Sequence, residues 1–218
     1  MPHSSVKRTA IIILLLLVFS CTPPPKPPLV YNNSAPYQDL SSEINFPAAL
    51  GALQKKQLIV YPGKEQGLTL TYAGNAGQSG TIYLYNEAPN DIDPAVGFKI
   101  LDDQKKSAIN DVFAMEKTGQ YSNIKQSQDL SITFKEKTTE REKQLDGYLI
   151  TFSYTENNIP VISALVLAIY NRHTLKIRYT YPAELGAAGR AEFEKFITDL
   201  GTLLTPNWGY RIDIKQQR

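Results

Sequence analysis

YLITFSYTENNIPVISALVLAIYNRHTLKIRYTY runs from Tyr148 to Tyr181. It holds three strands and two turns. Tyr148, Ile150, Phe152 and Tyr154 alternate with Leu149, Thr151 and Ser153, so one face of an extended segment is apolar and aromatic. Glu156-Asn-Asn158 is short and polar, as a turn requires. Ile162 to Tyr170 is almost continuously apolar, the pattern of a central strand covered on both faces. A second polar turn, Asn171-Arg-His-Thr174, leads into Leu175, Ile177, Tyr179 and Tyr181, which alternate with Lys176, Arg178 and Thr180. Strands this close in sequence pair antiparallel.

Working outward, the same period of two recurs upstream. Gln57 to Tyr61, Gly67-Leu-Thr-Leu-Thr-Tyr72 and Thr81-Ile-Tyr-Leu-Tyr85 predict an antiparallel meander. Asp91-Ile-Asp-Pro94 reads as a helix start, with Asp93 as cap and Pro94 at the first helical position. Val96, Ile100, Ala108, Val112 and Met115 then recur at helical spacing to about Lys117. Asp129 to Phe134 is a strand, and the charged Lys135 to Asp146 segment is a solvated hairpin tip. Downstream, Arg190 to Leu204 carries Phe193, Phe196, Ile197, Leu200, Leu203 and Leu204 as one apolar stripe. Trp208, after Pro206, is placed to pin the C-terminal tail.

The expected order is β-β-β-α-β-β-β-β-α. Runs of strands separated by two helices predict an α+β fold, an antiparallel sheet of about seven strands with two helices packed on it. This layout resembles the PsbP-like α/β fold. FPAALGALQ at Phe46 to Gln54, together with Gly67 to Tyr72, is similar to segments of uncharacterised bacterial envelope proteins. The resemblance spans about residues 46 to 205 and implies a fold, not an activity.

The N-terminus carries an address. Lys7 and Arg8 precede an unbroken apolar run from Ala10 to Phe19, and Ser20 stands just before Cys21. That is the layout of a secretory signal. The run is too short for a bilayer, which needs about 20 residues. Val18-Phe19-Ser20-Cys21 resembles the lipobox of bacterial lipoproteins. The resemblance implies that the Cys21 thiol receives a diacylglyceryl group, that residues 1–20 are removed, and that the new amino group takes a further acyl chain such as palmitate. Two or more chains hold a protein stably at a membrane. Thr22 stands where an aspartate tends to retain lipoproteins at the inner membrane, so the resemblance favours the outer membrane, facing the periplasm. The alternatives are an ordinary secretory signal and an uncleaved anchor with an incidental cysteine.

Residues 21–45 form the lipidated cysteine and a tether. Six prolines between Thr22 and Asn45 predict a polyproline-like spacer with no helix and no sheet ladder. Residues 46–218 are the single α+β domain, long enough to build one core.

Composition narrows function. Loss of residues 1–20 reduces Lys plus Arg from 23 to 21, against 21 Asp plus Glu. The mature chain is formally neutral and offers no basic stripe for nucleic acid. Cys21 is the only cysteine, which excludes intrachain disulfides, cysteine zinc sites and a further thiol nucleophile.

Motifs that carry chemistry are few. Gly74-Asn-Ala-Gly77-Gln-Ser-Gly80 has strands on both sides and no lysine after it, so it is a hairpin turn rather than a phosphate loop. Ser79 lacks the spacing of a nucleophile elbow. His173, the sole histidine beyond the signal, falls in a turn and reads as solvent-exposed; a general base there is the alternative. Glu87, Asp91 and Asp93 offer oxygen ligands for Ca²⁺, but the EF-hand pattern is absent and capping accounts for Asp93. Tyr83, Tyr85, Tyr148, Tyr154, Tyr179 and Tyr181 read as half-buried strand residues, with an interface role as the alternative.

No catalytic residue, metal or cofactor is assigned. The expectation is a lipid-anchored bacterial envelope protein, held to the membrane through Cys21, with a non-catalytic binding or assembly role toward an envelope partner. The alternative is a lipoprotein that binds a small apolar ligand between sheet and helix, in a pocket lined by tyrosines and aliphatic residues. An enzyme would require His173 or an acidic pair in a cleft.

Overall fold

The computed structural model describes residues 26–63, 67–85, 94–135, 144–171, 173–204 and 212–216. In chain order the strands are β1 (Leu29–Tyr31), β2 (Tyr37–Asp39), β3 (Ile44–Phe46), β4 (Ala49–Leu50), β5 (Leu53–Val60), β6 (Leu68–Ala73) and β7 (Ser79–Tyr85). Helix α1 (Pro94–Lys117) follows, then β8 (Tyr121–Lys135), β9 (Gln144–Glu156), β10 (Ile159–Tyr170) and β11 (His173–Pro182). A short 3-10 turn (Ala183–Leu185) leads into helix α2 (Gly186–Leu204), and β12 (Ile212–Gln216) closes the series.

From β5 to α2 this is the β-β-β-α-β-β-β-β-α order read from the sequence. The fold is mixed α and β, a large antiparallel sheet with two helices. The sheet is larger than the seven strands expected: among the described residues it has ten, nine of them in the path β1-β5-β6-β7-β11-β10-β9-β8-β12, with β4 paired to β5. A separate two-stranded sheet joins β2 to β3.

The additional strands have a common physical origin. Strands of two to five residues are too short to show a period. Each forms because a longer strand presents an open row of N–H and C=O groups. β1 pairs Leu29, Val30 and Tyr31 with Val60, Ile59 and Leu58 of β5. Part of the stretch expected to carry no ladder therefore lies in the sheet, because a proline removes a donor only where it stands. β12 pairs with β8 in the same way at the opposite edge. β8 itself starts at Tyr121 rather than Asp129, since the polar Ser122 to Gln128 stretch takes its conformation from β9.

The β9–β10 turn is set locally. Asn157 and Asn158 both have positive φ, 49° and 65°. That is the backbone of a two-residue hairpin whose twist matches its strands, and asparagine tolerates it better than most residues. The resulting β10 is buried without a break from Ser163 to Ala168, as its continuous apolar sequence predicts.

The two helices lie on opposite faces. Phe196, Ile197, Leu200 and Leu204 of α2 pack with Leu70 and Tyr72 of β6, Ile82 of β7, and Ile177 and Tyr179 of β11. Leu101, Ala108 and Val112 of α1 pack with Ile150, Phe152 and Tyr154 of β9 and Leu165 and Leu167 of β10. Each fully buried aliphatic or phenyl side chain contributes about 1.5–3 kcal/mol. Helix α2 begins at Gly186, earlier than Arg190, because its first turns are short side chains. A Cβ on Gly189 would fall 2.3 Å from the Tyr181 ring, so that glycine lets helix and strand approach.

Candidate functional site

The helices cover different halves of the sheet. α2 sits over β5, β6, β7 and β11, while α1 sits over β8, β9 and β10 on the reverse face. Beside α2, the inner face of β8–β10 is left as the floor of a pocket of about 370 Å³. Strand alternation fixes that floor. Leu130, Leu149, Ile162, Ala164 and Val166 point to the α2 side, while Ile150, Phe152 and Leu165 point to α1. Tyr181, Phe193 and Ile197 form the wall toward α2.

The pocket draws polar lining from two sources. On the helix, Arg190 Nε donates to Glu194 Oε1 at 3.0 Å, both exposed on successive turns of α2. On the strands it is lined by Ser127, Gln128 and Thr151, the last paired with Ala164 of the floor. Ser127 Oγ lies 2.8 Å from Thr151 Oγ1 and donates to the Thr151 carbonyl at 3.2 Å. The pairing of β8 with β9 shifts register between Gln126 and Gln128. Such a bulge re-aims side chains and is frequent beside binding sites. Burial raises the Tyr181 pKa; Arg190 lowers it and Glu194 raises it, with a net upward shift. The hydroxyl at the wall is therefore a neutral donor and acceptor at physiological pH.

Several residues singled out by the sequence fall elsewhere. His173, expected in solvent, is 7% exposed at the start of β11. Its Nδ1–H donates to the Asn171 carbonyl at 2.7 Å, and Asn171 Nδ2 donates to the Ser42 carbonyl at 3.1 Å. That bond ties the turn to the residues preceding β3. The glycine-rich segment is a hairpin turn: Gly74 N donates to the Gln78 carbonyl at 2.8 Å, and Ala76 N to Gln78 Oε1 at 3.1 Å. Gln78 Nε2 also donates to Glu192 of α2, so the turn is an attachment point for the helix. Ser79 opens β7 within the ladder. Glu87, Asp91, Asp93, Trp208 and Cys21 lie outside the described residues.

The tyrosines divide between the faces. Tyr179 and Tyr181 lie under α2, whereas Tyr148 and Tyr154 lie under α1. The residues that sequence reading missed are the polar ones lining the pocket and two cations on β11, Lys176 and Arg178. A signal for the latter existed: they alternate with core residues in a strand that sits mid-sheet, where neither face is freely solvated.

Among the described residues no helix is long and apolar enough to cross a membrane. No family model matches the chain, and no curated protein matches it.

Proposed function

We propose that this chain is a lipid-anchored protein of the bacterial envelope, with a non-catalytic binding role, and that its ligand is a small apolar molecule seated between α2 and the β8–β10 half of the sheet. The observation that carries this reading is the pocket: a largely aliphatic floor and an aromatic wall, with a few polar side chains in the lining. That lining suits ligands that bury an apolar body and orient a polar tip. The Val18 to Cys21 stretch supports the anchor.

The test is native mass spectrometry of protein purified from the envelope of its host. A non-covalent adduct of lipid-like mass should accompany the parent and be absent from Ala164→Trp, whose indole fills the floor. Parent protein that carries no adduct, in the face of added fatty acid or phospholipid, sinks the pocket reading. The anchor is tested separately. Cys21→Ala should abolish the acyl mass and release the protein from the membrane fraction; unchanged fractionation sinks it.

A second reading, docking to an envelope protein, is favoured by the sheet's first edge. In β1, Leu29, Val30 and Tyr31 are 57%, 50% and 43% exposed, an apolar edge strand of the kind that recruits another strand. Tyr31→Lys should weaken such docking and leave the pocket adduct intact.

A further inference from the structure

Lys176 and Arg178 leave β11 on the face opposite the pocket, beside the C-terminal half of α1. Arg178 is held in place from three sides. Its Nη2 donates to Tyr154 Oη at 2.8 Å and its Nε to Ser163 Oγ at 3.3 Å. The guanidinium carbon lies 5.4 Å from the Tyr121 ring centroid and 5.8 Å from that of Tyr154. Those two rings stack on each other at 4.3 Å. Among the described residues no carboxylate pairs with Arg178. The groups that hold it are hydroxyls and rings, all neutral.

Lys176 has a counter-charge, but a distant and wet one. Its Nζ is 3.9 Å from Asp111 Oδ2, with the lysine side chain 21% exposed and the aspartate 68%. Burial lowers the Lys176 pKa, and Asp111 only partly offsets that. Two cations thus face one solvated carboxylate. Between them and α1 lies a cavity of about 100 Å³, walled by Val112, Met115, Phe152 and Leu165.

An arginine cannot shed its proton to escape burial. A charge removed from water without an ionic partner is costly, and native structures pair such charges. Tyr154, Ser163 and Tyr121 engage up to three of the five guanidinium N–H donors, which leaves donors for an acceptor-only group. Charge-assisted bonds to an oxyanion are the strong kind.

We propose that this cavity binds a small oxyanion, a carboxylate or a phosphate, held between the Lys176 ammonium and the Arg178 guanidinium. Tyr121, Tyr154 and Ser163 orient the arginine, and Asp111 sets the net charge at the mouth. The site is independent of the apolar pocket, which opens on the other face.

Calorimetric titration of the full chain, purified in non-ionic detergent, tests this with two probes: inorganic phosphate and propionate. Sodium chloride at matched ionic strength is the control. At least one probe should bind saturably, and which one does separates a phosphate from a carboxylate ligand. Lys176→Met should weaken that binding at least about tenfold, as loss of one charge-assisted contact does. Asp111→Asn, an exposed change on a helix, should tighten it about threefold, in keeping with the size of exposed charge pairs. The proposal is overturned if neither probe gives a saturable isotherm above the chloride control, or if folded Lys176→Met binds like the parent. Should Lys176→Met not fold, Asp111→Asn binding no tighter than the parent overturns it instead.

Discussion

Helices α1 and α2 are seated on the same sheet by different chemistry. Under α2 the contact is aromatic and close. Phe196 is fully buried, with its ring centroid 5.2 Å from Tyr179 and 6.2 Å from Tyr72, and glycines at Gly51, Gly80 and Gly189 bring backbone and rings together. Under α1 the helix buries aliphatic side chains, Leu101, Ala108 and Val112, against strand aromatics, with Phe113 edge-on to Phe152 at 6.3 Å, and polar groups fasten the contact. Lys105 Nζ pairs with Asp129 at 3.2 Å and lies 4.2 Å from the Tyr148 ring centroid, and Tyr148 donates to Asp102 Oδ1. The uncovered ground beside each helix differs too: an apolar pocket beside α2, and a cationic cavity at the edge of α1.

The largest expected effect breaks the α2 seat. Phe196→Ala should cost about 3–5 kcal/mol in urea unfolding, and more than Leu101→Ala under α1, which falls within the about 2–5 kcal/mol of buried leucines. Equal losses would remove the contrast. Gly80→Ala comes next. Its Cβ would stand 2.8 Å from two carbons of the Phe196 ring, and such overpacking costs about 1–3 kcal/mol. No loss of stability would mean that the ring yields freely and that the seat is looser than its geometry suggests.

On the other helix, Lys105→Met should cost no more than about 1 kcal/mol, because the pair is partly solvated and the methionine keeps the stem. A larger loss would promote the polar pins to the main attachment of α1.

The smallest effect sharpens the comparison by pH. Burial, and then the hydrogen bond to Asp102, push the Tyr148 pKa up from 10.0 to about 12. Burial raises those of Tyr72 and Tyr179 under α2 as well. In the unfolded chain these phenols ionise near pH 10. Their contribution to stability is therefore complete below that pH and is lost as pH rises through the folded values. Tyrosinate absorbance, followed with circular dichroism, should show unfolding that begins above about pH 10, with Tyr148 ionising before the pair under α2. Phenols that all titrate near 10 in folded protein would contradict the burial of both seats.

The sequence reads well where pattern and burial coincide. Ile162 to Tyr170 and the Leu175 to Tyr181 alternation appear in the structure as β10 and β11, and Pro94 begins α1. It reads poorly where one element borrows its order from another. Leu29 to Tyr31 and Ser122 to Gln128 carry no distinctive period, yet both lie in strands because β5 and β9 offer them partners. His173 also departs from its expected exposure, and the bond from Asn171 to Ser42 ties its turn to a distant part of the chain.

The sequence by itself determined the order of the long elements and the alternation that gives the sheet two apolar sides. Those are local properties, fixed by the spacing of side chains along the backbone. Only the tertiary structure decided that the helices take opposite halves of opposite faces, and hence where a pocket and a cationic cavity remain. Both depend on which distant strands become neighbours, and no short-range pattern carries that information.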